Sequence, residues 1–344
     1  MRGAKMSKLF RFIAGSILIP ALLCSCVKRE MTQEDIEDVK KIVDKYNQAQ
    51  LVNNTAAMLD YANEILAAAE KFKYNNDSKD AKCLGLIRRG NAYAFLNRYE
   101  DAVNDFDAVI KEAPYFSTEL VGYYHKIFAL TACKRHDEAD ATAGKALKLL
   151  DHIEEDLICK DDKEKRNIFL NYRKMVIIWW GVSLSKRKKY AEKEKLFTDF
   201  LSRFKNEKDF RESVEDAAVF YDDMAELYHA LKNTEKELNF LHKSLSTDDG
   251  SIVFTETHLR LVGYAIRDKN YVKALKICDQ ALNIKSSRMN LDLRQRNQAM
   301  LLSAKVKIFQ LMNKPKEAEK ISSQNKINLS SDLKDHLDWL LFDF

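Results

Sequence analysis

One stretch of 34 residues, 83–116, limits the folds open to this chain more than any other feature. Leu86, Gly90 and Tyr93 follow one another at three- and four-residue intervals. After a polar break and Tyr99, Ala102, Phe106 and Val109 repeat those intervals, and Pro114 follows. Such spacing puts each trio on one stripe of a helix. Small Gly90 and Ala102 let two helices approach, while Tyr93 and Phe106 fill the space around them. Pro114 ends the pair because it cannot continue the helix before it. A hairpin of this kind leaves apolar surface uncovered and needs neighbours.

The order G-x-x-Y…A-x-x-x-F…P over 34 residues resembles the tetratricopeptide repeat. Sliding that template along the chain finds units near 33–74, 83–116, 120–153, 174–207, 218–251, 255–288 and 299–332. The place of Ala102 is taken by Ala139, Lys193, Glu237, Ala274 and Ala318, at successive spacings of 37, 54, 44, 37 and 44 residues. None equals the family's 34, so longer turns or extended helices are expected, the largest insertion being the charged stretch 151–165. Lys193 and Glu237 break the small-residue rule, which predicts looser or shifted helix contact in their two pairs. The resemblance implies an all-α, right-handed α-solenoid of stacked hairpins over 33–344. The last segment, with Leu333, Leu337, Leu340 and Leu341 at helical spacing, suits a C-terminal capping helix.

Composition agrees. Only nine Gly and three Pro occur in 344 residues, which argues against a loop-rich or β-rich fold. Four cations, Arg2, Lys5, Lys8 and Arg11, precede any acidic residue, and without them the net charge falls from +5 to 5 − 4 = +1. A nearly neutral remainder lacks the basic excess that phosphate contacts draw on, so no nucleic-acid partner is expected. The run Lys186-Arg187-Lys188-Lys189 is read as a solvated turn between helices.

Those four cations open a secretory leader: an apolar run, 12–23, then Cys24-Ser25-Cys26. About a dozen apolar residues are too few to span a bilayer, which takes roughly 20. Leu23-Cys24-Ser25-Cys26 resembles the lipobox of bacterial lipoproteins. The alternative register ending at Cys24 fits worse, because Leu23 is large where the family has a small residue. The resemblance implies a signal peptide over 1–25, lipidation of Cys26, and a tether over 26–32. Cys83, Cys133, Cys159 and Cys278 lie far apart and signal neither a zinc cluster nor a redox pair. They are read as small buried apolar residues.

No H-E-x-x-H, G-x-S-x-G, G-x-x-x-x-G-K-[ST] or G-x-G-x-x-G occurs, and the seven histidines are scattered singly. No catalytic, cofactor or metal residues are assigned. In stacked hairpins the first helices line one face, where a peptide or partner helix meets many side chains at once. Mapped from the family, that face includes Arg88, Asn91, Phe95, Tyr124, His125, Phe128, Trp179, Asp222, Asp223, Arg260 and Arg267. Trp179 and Trp180 sit about 100° apart on a helix, and Trp179 is the one assigned to the groove. The expected function is a non-catalytic protein- or peptide-binding adaptor, lipid-anchored in a bacterial cell envelope, at the outer membrane rather than the inner. A ligand-binding sensory module and a carbohydrate-uptake component are the competing readings.

Overall fold

The computed structural model describes residues 33–70, 76–159, 163–247, 254–284, 291–325 and 329–343. The leader, Cys24, Cys26, the tether and the side chain of Cys159 lie outside the described residues. Among the described residues there are sixteen α-helices, one π-helical turn and no strand. No described helix is long and apolar enough to cross a membrane. The chain divides into two compact units near residue 200.

In the first unit the helices are α1 (Gln33–Leu51), α2 (Thr55–Ala69), α3 (Asn76–Phe95), α4 (Tyr99–Glu112), α5 (Phe116–Ala132), α6 (His136–Cys159), α7 (Lys163–Lys186) and α8 (Tyr190–Leu201). From α1 to α7 each helix packs on the next, α8 meets α7 where Phe197 covers Gly181, and first helices also pack on first helices, α3 on α5 and α5 on α7. The charged stretch 151–165 is resolved by length: α6 and α7 each run 24 residues. Arg173 of α7 holds that extension to α6, 2.7 Å from Asp151 and 3.2 Å from Glu154.

The second unit begins with a short helix, α9 (Glu207–Ser213), absent from the sequence-based expectation. Its Phe210 packs against Phe204, Phe220 and Tyr221, with ring centroids 4.9–5.5 Å apart. Three hairpins follow: α10 (Ala217–Ala230) with α11 (Thr234–Thr247), α12 (Phe254–Arg267) with α13 (Tyr271–Asn283), and α14 (Leu291–Leu311) with α15 (Pro315–Asn325). Then come α16 (Ser331–Asp338) and the π-helical turn Trp339–Asp343.

All seven hairpins close with the same turn. The second residue after each first helix has positive φ: Asn53, Asn97, Lys134, Lys188, Lys232, Lys269 and Asn313, between 54° and 65°. In each, the next amide donates back to the helix, as Arg98 N to Tyr93 O at 2.8 Å and Lys189 N to Leu184 O at 2.9 Å. This is the Schellman closure, with Asn or Lys where Gly is commonest. Asn tolerates the left-handed region well. A Lys there is exposed and lies beside the negative end of the helix dipole.

Five residues after each positive-φ position stands the anchor: Met58, Ala102, Ala139, Lys193, Glu237, Ala274 or Ala318, every one buried. The hairpins therefore share one internal register, and the irregular spacings arise between them. Contact at Lys193 and Glu237 is close, which corrects the expectation of looser pairs. Gly181 leaves room for the Lys193 stem, and Lys193 Nζ lies 5.0 Å from the centre of the Phe197 ring. Glu237 Oε2 sits 3.3 Å from His229 Nδ1.

Candidate functional site

With the turns aligned, the side chains assigned to the groove fall into equivalent places. Nine residues before the positive-φ turn stand Arg88, His125, Trp179, Asp223 and Arg260; six before it stand Asn91, Phe128, Val182, Glu226 and Gly263. Separated by three, these places make one face of each first helix.

In the first unit that face is not the open patch expected. Arg88 is 4% exposed, Asn91 1%, His125 0% and Trp179 1%, and Tyr124 and Phe128 are buried with them. Of the residues assigned there only Phe95 is half-buried. The reason is aromatic packing across successive hairpins. Phe128 meets Trp179 with centroids 4.8 Å apart, and His125 stacks 5.2 Å from Phe106 and lies 4.4 Å from Tyr124. The partly exposed indole is that of Trp180, whose Nε1 donates to Asp140 at 2.7 Å.

This buried face is polar without being paired. Arg88 lies 4.9 Å from the centre of the Tyr46 ring, while the Tyr46 hydroxyl donates to the Arg88 carbonyl at 2.9 Å. Among the described residues the groups acting on the guanidinium are Tyr46 and Tyr124 and no carboxylate, and Arg88 Nε has no hydrogen-bond partner. Asn91 Nδ2, Trp179 Nε1, Gln50 Nε2, Thr131 Oγ1 and both ring nitrogens of His125 are likewise buried without partners. Gln50 and Thr131 each stand three residues before their turn, so they continue the same stripe. Burial, and secondarily the Arg88 charge, lowers the His125 pKa from its ordinary 6.5 to about 3, so the ring is neutral. Burial also lowers Arg88, with Tyr46 and Tyr124 opposing.

The second unit treats its polar side chains differently. Arg260 is fully buried, yet it reaches Asp222 at 3.0 Å and Glu226 at 2.8 Å, and Thr257 Oγ1 donates to Asp222 at 3.1 Å. Asp222 is therefore an interior ion-pair partner, Asp223 is half-buried, and Arg267 is exposed with its guanidinium 4.1 Å from the Tyr264 ring centre. Over this face lies the C-terminal segment. The turn Trp339–Asp343 packs on α12, and α16 packs on α14. A Cβ built on Gly263 would be 2.7 Å from the Leu340 carbonyl oxygen, so only Gly permits this approach. Lys307 of α14 is paired with Asp338, and His336 Nε2 lies 3.4 Å from Glu256.

Among the described residues, no group of three or more His, Cys, Asp or Glu is placed to hold a metal ion. Sequence reasoning missed Gln50 and Thr131, which the turn register finds once Asn53 and Lys134 are known to close the hairpins.

No protein-family model matches the chain, and no curated protein sequence does. Solved helical structures do resemble it. The apo form of the quorum sensor NprR from B. thuringiensis aligns with a TM-score of 0.47 at 12% identity, covering 89% of each chain. NprR in complex with its cognate peptide NprX aligns at 0.44 and 14% identity, covering 91% of this chain and 83% of that one. Yeast Tom70 aligns at 0.45 and 12% identity, covering 97% of this chain and 69% of its own.

Proposed function

We propose that this chain is a membrane-tethered, non-catalytic module that holds a protein or peptide on the face of its first helices, within a bacterial cell-envelope complex. One observation carries the binding half of this reading. In the second unit that face already holds a stretch of polypeptide, Ser331–Asp343, seated over Gly263 and Lys307 at the place that Asn91 occupies in the first unit. A face that accepts one chain segment by apolar burial and side-chain pairing has the chemistry to accept another. The leader and the Leu23–Cys26 sequence support the tether.

Photo-crosslinking in cells tests the binding half. A benzophenone side chain at the half-buried Phe95 is expected to capture a partner that the same group at exposed Lys111, on α4, does not. Equal capture from both positions would reject the first-helix face as the binding surface. For the tether, labelled palmitate is expected on the protein and absent from Cys26→Ala, and labelling that persists in that variant would overturn the anchor.

A further inference from the structure

The segment Ser331–Asp343 owes its order to the face it lies on. Helix α16 is eight residues long, below the roughly 12–15 at which an isolated helix is even marginally stable. Leu337, Leu340 and Leu341, three and four residues apart, are buried, while Lys334, Asp335 and Phe342 are exposed. The hairpins beneath are complete without the segment: each closes its own turn, at Lys269 and Asn313, and buries its own anchor, Ala274 or Ala318. The segment is thus related to α12 and α14 as a bound peptide is to its receptor.

Three contacts define what this seat reads. His336 Nε2 lies 3.4 Å from Glu256, Asp338 pairs with Lys307, and the Leu340 and Leu341 carbonyl oxygens lie 2.7 and 3.0 Å from where a Cβ on Gly263 would stand. Glu256 and Gly263 are seven residues apart, about two turns of α12, and Lys307 takes on α14 the place that Gly263 has on α12. Lys307 Nζ also lies 5.7 Å from the centre of the Phe342 ring, and the His336 and Trp339 rings stack 5.9 Å apart. An acid, a bare backbone and a base are presented in a fixed order. Charged surface of this kind stays solvated when uncovered, unlike an apolar core.

We infer that the seat on α12 and α14 is a docking site for which the chain's own segment competes with a segment of another protein. The competing segment carries a basic residue, an acidic residue two places on, and a leucine pair beginning two places after that, as His336, Asp338, Leu340 and Leu341 do here. The inference rests on the binding role proposed above, places the occupied surface in the second unit and names the partner's chemistry. The order of charges fixes the direction of docking, because a reversed segment would set its acid against Glu256. Exchange of segments between copies of this chain swaps like for like and gains no contact, so the occupant argued is a segment of a different protein.

Fluorescence anisotropy on the detergent-solubilised full chain tests this, with a labelled peptide of residues 329–343 as the probe. Leu340→Asp together with Leu341→Asp unseats the chain's own segment and leaves Glu256, Gly263 and Lys307 in place. That double variant is expected to bind the probe about 10-fold or more tighter than the wild-type chain, whose competent, open fraction is small. The gain is expected to vanish when Gly263→Ala is added to the chain, and also when the probe carries Asp338→Lys. Adding Lys307→Asp to the double variant is expected to restore binding of that altered probe. A scrambled probe of the same composition that binds as well as the native one would overturn the pattern. Equal binding of the native probe by wild type and double variant, or none by either, would overturn the docking site. Wild-type dimers that dissociate in the double variant would assign the seat to a second copy and overturn the partner reading. Should circular dichroism show that the double variant has lost its helices, Asp338→Lys in the chain decides. Loosening one part-exposed ion pair is expected to raise probe affinity about two- to fivefold, and no rise would overturn the proposal. Capture from Phe95 reports on the first unit alone, so the two readings fail separately.

Discussion

Gly90 lies directly under the Phe106 ring. A Cβ at Gly90 would stand 2.6 Å from Phe106 Cε1, and Gly181 has the same relation to Phe197, also at 2.6 Å. Two hairpins separated by another in the chain thus close on the same pair of contacts, a glycine on the first helix and a phenylalanine on the second.

Gly90→Ala and Gly181→Ala are therefore expected to destabilise. Alanine gains about 1 kcal/mol of helix propensity over glycine, while overpacking a filled core typically costs about 1–3 kcal/mol. The rings have nowhere to swing, because Phe106 and Phe197 are fully buried. Gly144, with nothing within 4 Å of its Cβ position, is the control. Urea unfolding should show Gly144→Ala more stable than the parent and the other two less stable. A gain at all three positions would refute the close-contact argument.

Arg260→Met should unfold the second unit far more readily than the parent. Removing the guanidinium strands Asp222 in the interior beside Glu226, and breaking a buried pair in this way costs about 3–5 kcal/mol. Arg88→Met should differ in sign, neutral or stabilising, since no carboxylate loses a partner. The two urea midpoints, measured side by side at neutral pH, distinguish a neutralised buried arginine from an unneutralised one.

His125 should make stability fall with acidity. Its folded pKa is lowered to about 3 by burial, and the unfolded ring titrates near its ordinary 6.5. The unfolded state therefore binds the extra proton first as the pH drops. The contribution is fully present above pH 6.5 and declines between 6.5 and 3, by at most about 1.4 kcal/mol per pH unit. His125→Phe keeps an aromatic ring against Phe106 and Tyr124, and should flatten the slope between pH 7 and 5. An unchanged slope in that variant would assign the acid sensitivity elsewhere.

Gly263→Ala should loosen the C-terminal segment while leaving the hairpins folded. Its Cβ would meet the Leu340 and Leu341 carbonyl oxygens at 2.7 and 3.0 Å, and backbone on both sides cannot rotate away. Limited proteolysis is expected to clip the variant near residues 331–343 before the parent, with circular dichroism almost unchanged. Identical cleavage rates would mean the segment does not depend on this approach.

The sequence by itself determined the hairpins. Apolar residues at three- and four-residue intervals, Gly90 against Ala102, and Pro114 behind them define a pair of helices that cannot stay alone, and the anchors at Ala139, Lys193, Glu237, Ala274 and Ala318 all lie at one place in the register. Local chemistry suffices there because a stripe and a turn are set by neighbours in the chain. The unanticipated helix α9 shows the limit: seven residues carry too little periodicity to be recognised before Phe210 finds Phe204, Phe220 and Tyr221.

Only the tertiary structure decided what covers each stripe. Periodicity places Arg88, His125 and Trp179 on one face, but whether that face meets water depends on rings contributed by other hairpins, Phe106, Tyr124 and Phe128 among them. The same holds for charge. Arg260 and Arg88 occupy equivalent places, and only the fold gives one of them Asp222 and Glu226 and leaves the other facing Tyr46. A side chain's direction is a property of its helix, whereas its partner is a property of the packing, and binding chemistry resides in the partner.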